Sequence, residues 1–211
     1  MNHSFKQCIL TFFLGSCFII SINGQTEKGR VLLGGQTNLT FLSKSSSWKT
    51  DDGSGEYYRT RYLEITPQIG YFLSNNLLAG ILVPLSYKKE FEDYYSLKSS
   101  SIDFVPLLQL YFSKSKVKPY IYGALGTGFG KIINDDPDFP SPVKYNTISF
   151  IWDVGAGAAF FLNNNVSIDL GFGYAYNSDN IKSKSPIVFD PERKDIDKGF
   201  LTEIGVYVYL R

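Results

Sequence analysis

Five acidic residues stand in segments that are otherwise apolar, and their carboxylates are the groups of this 211-residue chain most able to do chemistry. They are Glu64, Asp103, Asp153, Asp169 and Glu203. A carboxylate withdrawn from water costs free energy unless it is paired, hydrogen-bonded or hydrated. Such groups can line a narrow path for cations, or they can belong to a hydrogen-bonded interior. Neutral side chains that could serve as partners in such an interior are Gln36, Asn38, Thr40, Thr66, Gln68 and Gln109.

Residues 1–24 are predicted to be a secretory signal peptide, followed by one β-barrel domain over residues 25–211. Lys6 precedes an apolar run from Cys8 to Ile22, and Gly24 supplies a small residue before the cleavage point. An uncleaved anchor is disfavoured because the run is shorter than the ~20 residues that a membrane helix needs. A lipoprotein signal ending at Cys17 is disfavoured by the apolar residues that follow it.

Cleavage after residue 24 would remove the only histidine and both cysteines, which are His3, Cys8 and Cys17. The mature chain then has no Ser-His-Asp or Cys-His nucleophile, no histidine or thiolate metal site and no disulfide. We therefore expect a protein that is not an enzyme and carries no metal or cofactor. Glycoside hydrolysis by paired carboxylates is disfavoured, because the five acids lie in separate segments with no cleft implied. A net charge of +1 argues against a nucleic-acid partner.

Alternation of apolar with small or polar residues predicts β-strands throughout the mature chain. Eight strands are predicted at residues 29–43, 57–73, 77–90, 99–112, 118–132, 147–162, 166–177 and 199–211. Short turns at 74–76, 113–117 and 163–165 alternate with long polar loops at 44–56, 91–98, 133–146 and 178–198. This predicts an all-β fold, an eight-stranded antiparallel up-and-down transmembrane β-barrel with short periplasmic turns and long extracellular loops.

The two faces of the predicted strands differ in character. In the seventh strand Ile168, Leu170 and Phe172 alternate with Asp169 and Gly171. A soluble barrel would bury its apolar face, whereas here the small and polar face fits a narrow interior and the bulky face fits lipid. The five acids are thus predicted to face the lumen. Because eight strands leave room inside only for side chains, a hydrogen-bonded interior is favoured over an open cation path.

The sequence also predicts where the prolines of the strands and the aromatic residues near the strand ends lie. Proline cannot donate to a strand ladder, so Pro67, Pro84 and Pro106 are expected at irregular positions. Aromatic residues near the strand ends are expected at the two membrane interfaces. They are Tyr57, Tyr58, Tyr62, Phe72, Tyr87, Tyr111, Phe112, Tyr120, Tyr122, Phe160, Phe161, Tyr174 and Tyr176.

Two stretches carry a family resemblance: a glycine-rich strand at 119–126, and a strand, tight turn and aromatic-ended strand at 155–176. In these the chain resembles the small outer-membrane β-barrel family, the porin-like barrels of the OmpA and OmpX type found in diderm bacteria. The resemblance implies a location in the cell outer membrane, contact with outer-membrane lipid and lipopolysaccharide, and insertion by the outer-membrane assembly machinery. The chain departs from the family in its last residues, because Leu210 and Arg211 stand where an aromatic residue is usual.

The expected function is non-enzymatic: a structural role in the envelope, or an interaction of the outer loops with an unknown surface ligand. The alternative is a narrow cation-preferring pore or small-solute channel lined by the inward acids. In the loops, Asp51, Asp52 and the acidic run at 135–138 could bind calcium, although a solvated loop is favoured. The 178–198 loop, with basic and acidic residues together, is a candidate contact for lipopolysaccharide phosphates.

Overall fold

The computed structural model describes residues 25–38, 43–50, 53–92, 96–112, 115–135, 141–184 and 193–211. Side chains are described for these residues except 38, 43–50, 53–59 and 92. The predicted signal peptide and the acidic loop positions at 51–52 and 136–138 lie outside the described residues. Within the described part of the chain, no helix is long and apolar enough to cross a membrane.

The described residues form ten antiparallel strand segments. They are β1 (Val31–Asn38), β2 (Ser43–Thr50), β3 (Gly53–Ser74), β4 (Leu77–Leu82), β5 (Leu85–Glu92), β6 (Ser96–Tyr111), β7 (Val117–Asp135), β8 (Val143–Phe161), β9 (Val166–Ser183) and β10 (Arg193–Leu210).

These segments close into a ring with eight strand positions, as predicted. β1 and β2 lie end to end along the same edge of β3 and together occupy one position in the ring. β4 and β5 likewise lie end to end between β3 and β6 and occupy a second position. The break between β4 and β5 contains Pro84, which supplies no N–H to the ladder. Pairing of β1 with β10, from Val31↔Leu210 to Asn38↔Glu203, closes the barrel.

The strands are longer than predicted on the side opposite the short turns. β2, β6, β8 and the β9–β10 hairpin take up much of the sequence predicted as long loops. Ser43–Thr50, for example, is strand paired with β3, although its polar sequence lacks an apolar alternation. About 9–11 residues of tilted strand cross a bilayer, so strands of 16–22 residues such as β3, β6 and β7 extend beyond it.

Buried and exposed side chains alternate along the strands. In β9, Asp169 is 3% exposed and Leu170 is 47% exposed, and buried positions alternate with more exposed ones from Ser167 to Gly173. β7, whose facing the sequence leaves open, places Tyr120 and Ala124 inside and Ile121 and Leu125 outside. The exposed apolar side chains form a continuous outer surface, called the apolar belt below, which fits a hydrocarbon solvent. Its members include Ile65, Ile69, Phe104, Leu108, Leu125, Phe129, Ile148, Phe150, Val154, Phe172 and Val206.

Candidate functional site: the barrel lumen

Bulky side chains fill the short-turn end of the lumen. This aromatic plug consists of Leu32, Phe72, Leu78, Tyr111, Tyr120, Ala159, Phe161, Tyr207 and Tyr209. Phe161 and Tyr209 have ring centroids 4.8 Å apart, and Phe72 and Tyr209 are both fully buried. The sequence-based expectation for Phe72, Tyr111, Tyr120 and Phe161 was therefore wrong, because these rings pack inside the barrel instead of contacting the membrane interface.

The other aromatic residues expected at the membrane interfaces form two groups, one on the outer face and one in the lumen. Tyr87, Phe112 and Phe160 are exposed on the outer face, and Tyr174 and Tyr176 are half-buried there against Trp152. Tyr62 and Tyr122 point into the lumen, where each hydroxyl donates to a carboxylate. The side chains of Tyr57 and Tyr58 lie outside the described ones. An aromatic residue near a strand end is thus an interface residue only where its face also points outward.

The N-terminal segment covers the same end of the barrel. Arg30 is 7% exposed, and its Nη2 donates to the Tyr209 carbonyl oxygen at 2.7 Å and to Asn165 Oδ1 at 2.8 Å. The backbone N–H of Gly29 donates to the Phe72 carbonyl oxygen at 2.9 Å. These contacts fix residues 25–30 beneath the plug and reinforce its closure.

At the inner edge of the plug, the rings of Tyr120 and Tyr122 lie across a strand that presents glycine to the lumen. The register places Tyr120 next to Gly157 and Tyr122 next to Gly155. A β-carbon built on Gly157 would lie 2.5 Å from the hydroxyl of Tyr120, and one on Gly155 would lie 2.6 Å from the Tyr122 ring. Glycine therefore provides the space in which these rings lie flat against the wall.

Two of the five predicted acids meet at one tyrosine hydroxyl. Tyr122 Oη lies 3.2 Å from Asp153 Oδ2 and 3.3 Å from Glu203 Oε2. A phenol has a single proton and can donate fully to only one of them at a time. Glu203 also accepts from Gln36 Nε2 at 2.6 Å, and Gln36 Oε1 accepts from the Tyr207 hydroxyl at 2.7 Å. Sequence reasoning had named Gln36 as a neutral partner but had not found Tyr122.

Asp169 belongs to a second network nearer the plug. It accepts a hydrogen bond from Ser167, whose hydroxyl lies 3.4 Å from that of Tyr209. The Tyr209 hydroxyl in turn lies 3.3 Å from that of Tyr111, which accepts from Gln109 Nε2 at 3.0 Å. Hydrogen bonds thus link a buried carboxylate to the polar edges of the plug.

Asp103 and Glu64 lie farther from the short turns. Glu64 accepts from the Tyr62 hydroxyl. Asp103 faces the lumen over Gly128, and its Oδ1 is buried without a hydrogen-bond partner. The row Asp103–Gly128–Ser149–Asp179 crosses four strands, and Asp179 Oδ1 is buried without a partner as well. Asp179, which the sequence placed in a loop, is therefore an inward acid that sequence analysis missed.

The described basic side chains lie apart from four of the five predicted acids. Among the described residues, no lysine or arginine lies within ion-pair distance of Asp103, Asp153, Asp169 or Glu203. Arg30 binds backbone and amide oxygens at the plug, Lys88 pairs with Glu90 at 2.9 Å, and Arg211 is exposed. No group of metal-binding side chains occurs in the described part of the chain.

The opposite end of the lumen contains a small cavity of about 160 Å³. It is lined by Leu97, Ile132, Asn134, Tyr145, Ile181, Ser183 and Arg193. Among the described residues, aromatic rings therefore pack at the short-turn end of the lumen, hydrogen bonds surround carboxylates in the middle, and a cavity lies near the far end.

Comparison with known proteins gives one family match and several solved structures with low sequence identity. Residues 11–202 match the family described as outer membrane protein beta-barrel domain. OprG from Pseudomonas aeruginosa is 14% identical, with 90% of this chain and 100% of that chain covered at a TM-score of 0.47. The translocator domain of autotransporter NalP from Neisseria meningitidis is 12% identical, with 98% and 69% covered at a TM-score of 0.48. Neisserial surface protein A is 19% identical, with 85% and 93% covered at a TM-score of 0.42.

No curated protein matches the chain in sequence. The family match extends over most of the chain, from before β1 into the first half of β10. The chain therefore belongs to the outer membrane protein β-barrel domain family, and its location is the outer membrane.

Proposed function

We propose that the chain is a non-enzymatic outer-membrane barrel with a closed lumen, which supports envelope integrity or presents its outer loops to a surface ligand. The aromatic plug is the observation that carries this proposal. Its rings come from five strands, β3, β6, β7, β8 and β10, and meet at the short-turn end of the lumen. Side chains filling an eight-stranded lumen leave no room for a water column.

The interior also has the character of a structural core. Tyr122 and Gln36 tie Asp153 and Glu203 to side chains of other strands, and Ser167 ties Asp169 to Tyr209. Buried polar networks of this kind fix the relative positions of strands when their members are hydrogen-bonded. We also propose insertion by the outer-membrane assembly machinery, with β10 as the segment presented to it.

A narrow cation-preferring pore is the second candidate. It is favoured by Asp103 Oδ1 and Asp179 Oδ1, two buried carboxylate oxygens without hydrogen-bond partners. A cation passing through the outer half of the lumen would find these oxygens unshielded. This candidate requires the plug to move, because its rings obstruct the same lumen at the other end.

Conductance of the refolded chain in a planar bilayer, under a salt gradient at neutral pH, distinguishes the two. We expect no discrete conductance from protein whose heat-dependent gel migration shows a folded barrel. Discrete cation-selective steps would instead establish the pore, and Asp103→Asn should then weaken the selectivity. Asp135→Asn, at an exposed acid at the end of β7, is the matched control and should leave the selectivity unchanged.

A further inference from the structure

On three neighbouring strands, the outward side chains change from uncharged residues to lysines at the same height on the barrel wall. In β7 the outward residues are uncharged from Val117 to Phe129, and the next one is Lys131. In β8, read from the short turn, they are uncharged from Phe160 to Asn146, and Lys144 follows. In β9 they are uncharged up to Asn180, and Lys182 and Lys184 follow. Lysines therefore begin where the apolar belt ends, on the side away from the short turns.

The strand register brings these lysines together. Lys131 pairs with Asn146, which pairs with Lys182, so the three form one row across β7, β8 and β9. Adjacent strands are separated by about 4.8 Å, which places the two lysine backbones roughly 10 Å apart with a neutral amide between them. One row farther out, the Lys184 N–H donates to the Lys144 carbonyl oxygen at 2.8 Å.

A surface groove of about 310 Å³ follows this arrangement. We call it the lysine groove and define it by Phe129, Lys131, Asn146, Ile148, Lys182 and Lys184. Phe129 and Ile148 are each 50% exposed on its membrane side, and the lysines are exposed on its outer side. The described residues that line the groove include three lysines, of which Lys131 and Lys182 share one row and Lys184 lies one row farther out.

This combination of charge and position matches one kind of molecule. Lysine ammonium groups bind phosphate oxygens through charge-assisted hydrogen bonds, and clusters of basic residues beside a membrane attract anionic headgroups. Exposed apolar side chains at the edge of the belt contact acyl chains. A molecule that satisfies both sides of the groove has a phosphate attached to hydrocarbon.

We propose that the lysine groove binds the phosphorylated headgroup of an acylated lipid of the outer leaflet. The phosphate lies between Lys131, Lys182 and Lys184, and an acyl chain lies along Phe129 and Ile148. The proposal goes beyond the function proposed above and is independent of it, because the groove is on the outer wall and is the same whether the lumen conducts or not.

Binding of diphosphorylated lipid A to the full chain in detergent micelles tests the proposal, with bound lipid counted by native mass spectrometry. The Lys131→Gln/Lys184→Gln variant should bind the lipid at least about tenfold more weakly, since two charge-assisted contacts are removed. Lys28→Gln/Lys116→Gln removes the same charge from exposed lysines at the short-turn end and should bind as the original chain does. Heat-dependent gel migration verifies that each variant is folded.

Competition identifies the ligand chemistry. We expect dephosphorylated lipid A to bind weakly and inorganic phosphate at millimolar concentration to displace little of the lipid. Equal loss of binding in both double variants would overturn the proposal, because net charge alone would then explain the attraction. Full displacement by inorganic phosphate, or equal binding of the dephosphorylated lipid, would overturn it too, by making the groove a free-anion site or a purely apolar contact.

Discussion

At the scale of single residues, the hydroxyl of Tyr122 connects strands that are distant along the chain. It lies within 3.3 Å of carboxylate oxygens of both Asp153 and Glu203. Asp153 is in β8 and Glu203 is in β10, so one side chain of β7 serves two other strands. These carboxylates are 8% exposed and have little access to water that could replace the donor. The Tyr122 hydroxyl therefore contributes more to the free energy of unfolding than a surface hydroxyl does.

Tyr122→Phe should destabilise the barrel by about 1–3 kcal/mol, because two buried carboxylates lose the donor they share. The free energy of unfolding in urea, followed by tryptophan fluorescence in lipid vesicles, measures this. Tyr87→Phe, at an outward ring that is 45% exposed, is the control and should change stability little.

A second substitution tests the mechanism of that loss. Adding Asp153→Asn to Tyr122→Phe should recover part of the lost stability, because the second substitution removes a buried carboxyl group that has lost its donor. A double-mutant cycle gives the coupling between the two positions. Strictly additive effects of the two substitutions would show that the Tyr122 hydroxyl does not act on Asp153.

At the scale of elements, the tyrosines of β7 depend on the glycines of β8. A β-carbon on Gly157 would lie 2.5 Å both from the Tyr120 hydroxyl and from the Leu170 carbonyl oxygen. The carbonyl belongs to a paired strand and cannot move freely. Gly157→Ala should therefore lower the free energy of unfolding by about 1–3 kcal/mol, the usual range for overpacking.

Gly123→Ala in β7 is the matched control for this prediction. No atom beyond its chain neighbours lies within 4 Å of a β-carbon built on Gly123, and no positive φ occurs there. Alanine at this position should be tolerated in the same urea experiment. Equal losses from the two substitutions would mean that glycine acts through strand propensity and not through the space it leaves for Tyr120.

The sequence predicts which side chains of a strand point inward better than it predicts which of them pack together in the lumen or where the strand ends. Period two assigns Asp169 and Leu170 to opposite sides without any knowledge of the neighbouring strands. The same period puts Tyr111 on the side of Asp103, yet an aromatic ring near a strand end is equally compatible with an interface belt. Which rings meet inside depends on register and stagger around the ring, and neither can be read from one strand.

The ends of the strands were missed for a different reason. Ser43–Thr50 and the outer parts of β9 and β10 are largely polar in sequence, so no apolar alternation marks them as strands. Their ladders continue because each is paired with a neighbour that is already fixed within the membrane. Asp179 was assigned to a loop for this reason, although the structure places it in a row with Asp103.

At the scale of the whole molecule, the two ends of the barrel differ in construction. Aromatic rings and the Arg30 segment close the short-turn end, whereas the far end has a cavity and long strand extensions. Asp153, Asp169 and Glu203, which lie between these ends, are hydrogen-bonded to side chains of the strands. This difference between the two ends is the basis of the closed lumen proposed above.

Opening the plug tests whether that end alone blocks the lumen. Phe161→Ala/Tyr209→Ala removes two rings that pack at 4.8 Å and should produce discrete conductance in a planar bilayer, whereas we expect none from the original chain. The current should prefer cations, because Asp153, Asp169 and Glu203 then border the opened path, and Asp153→Asn added to this variant should reduce the preference. Phe160→Ala, an outward neighbour that is 40% exposed, is the control and should remain silent. If the double variant migrates as a folded barrel and still does not conduct, the hydrogen-bonded acids above the plug are themselves a second barrier, and a pore through this lumen is excluded.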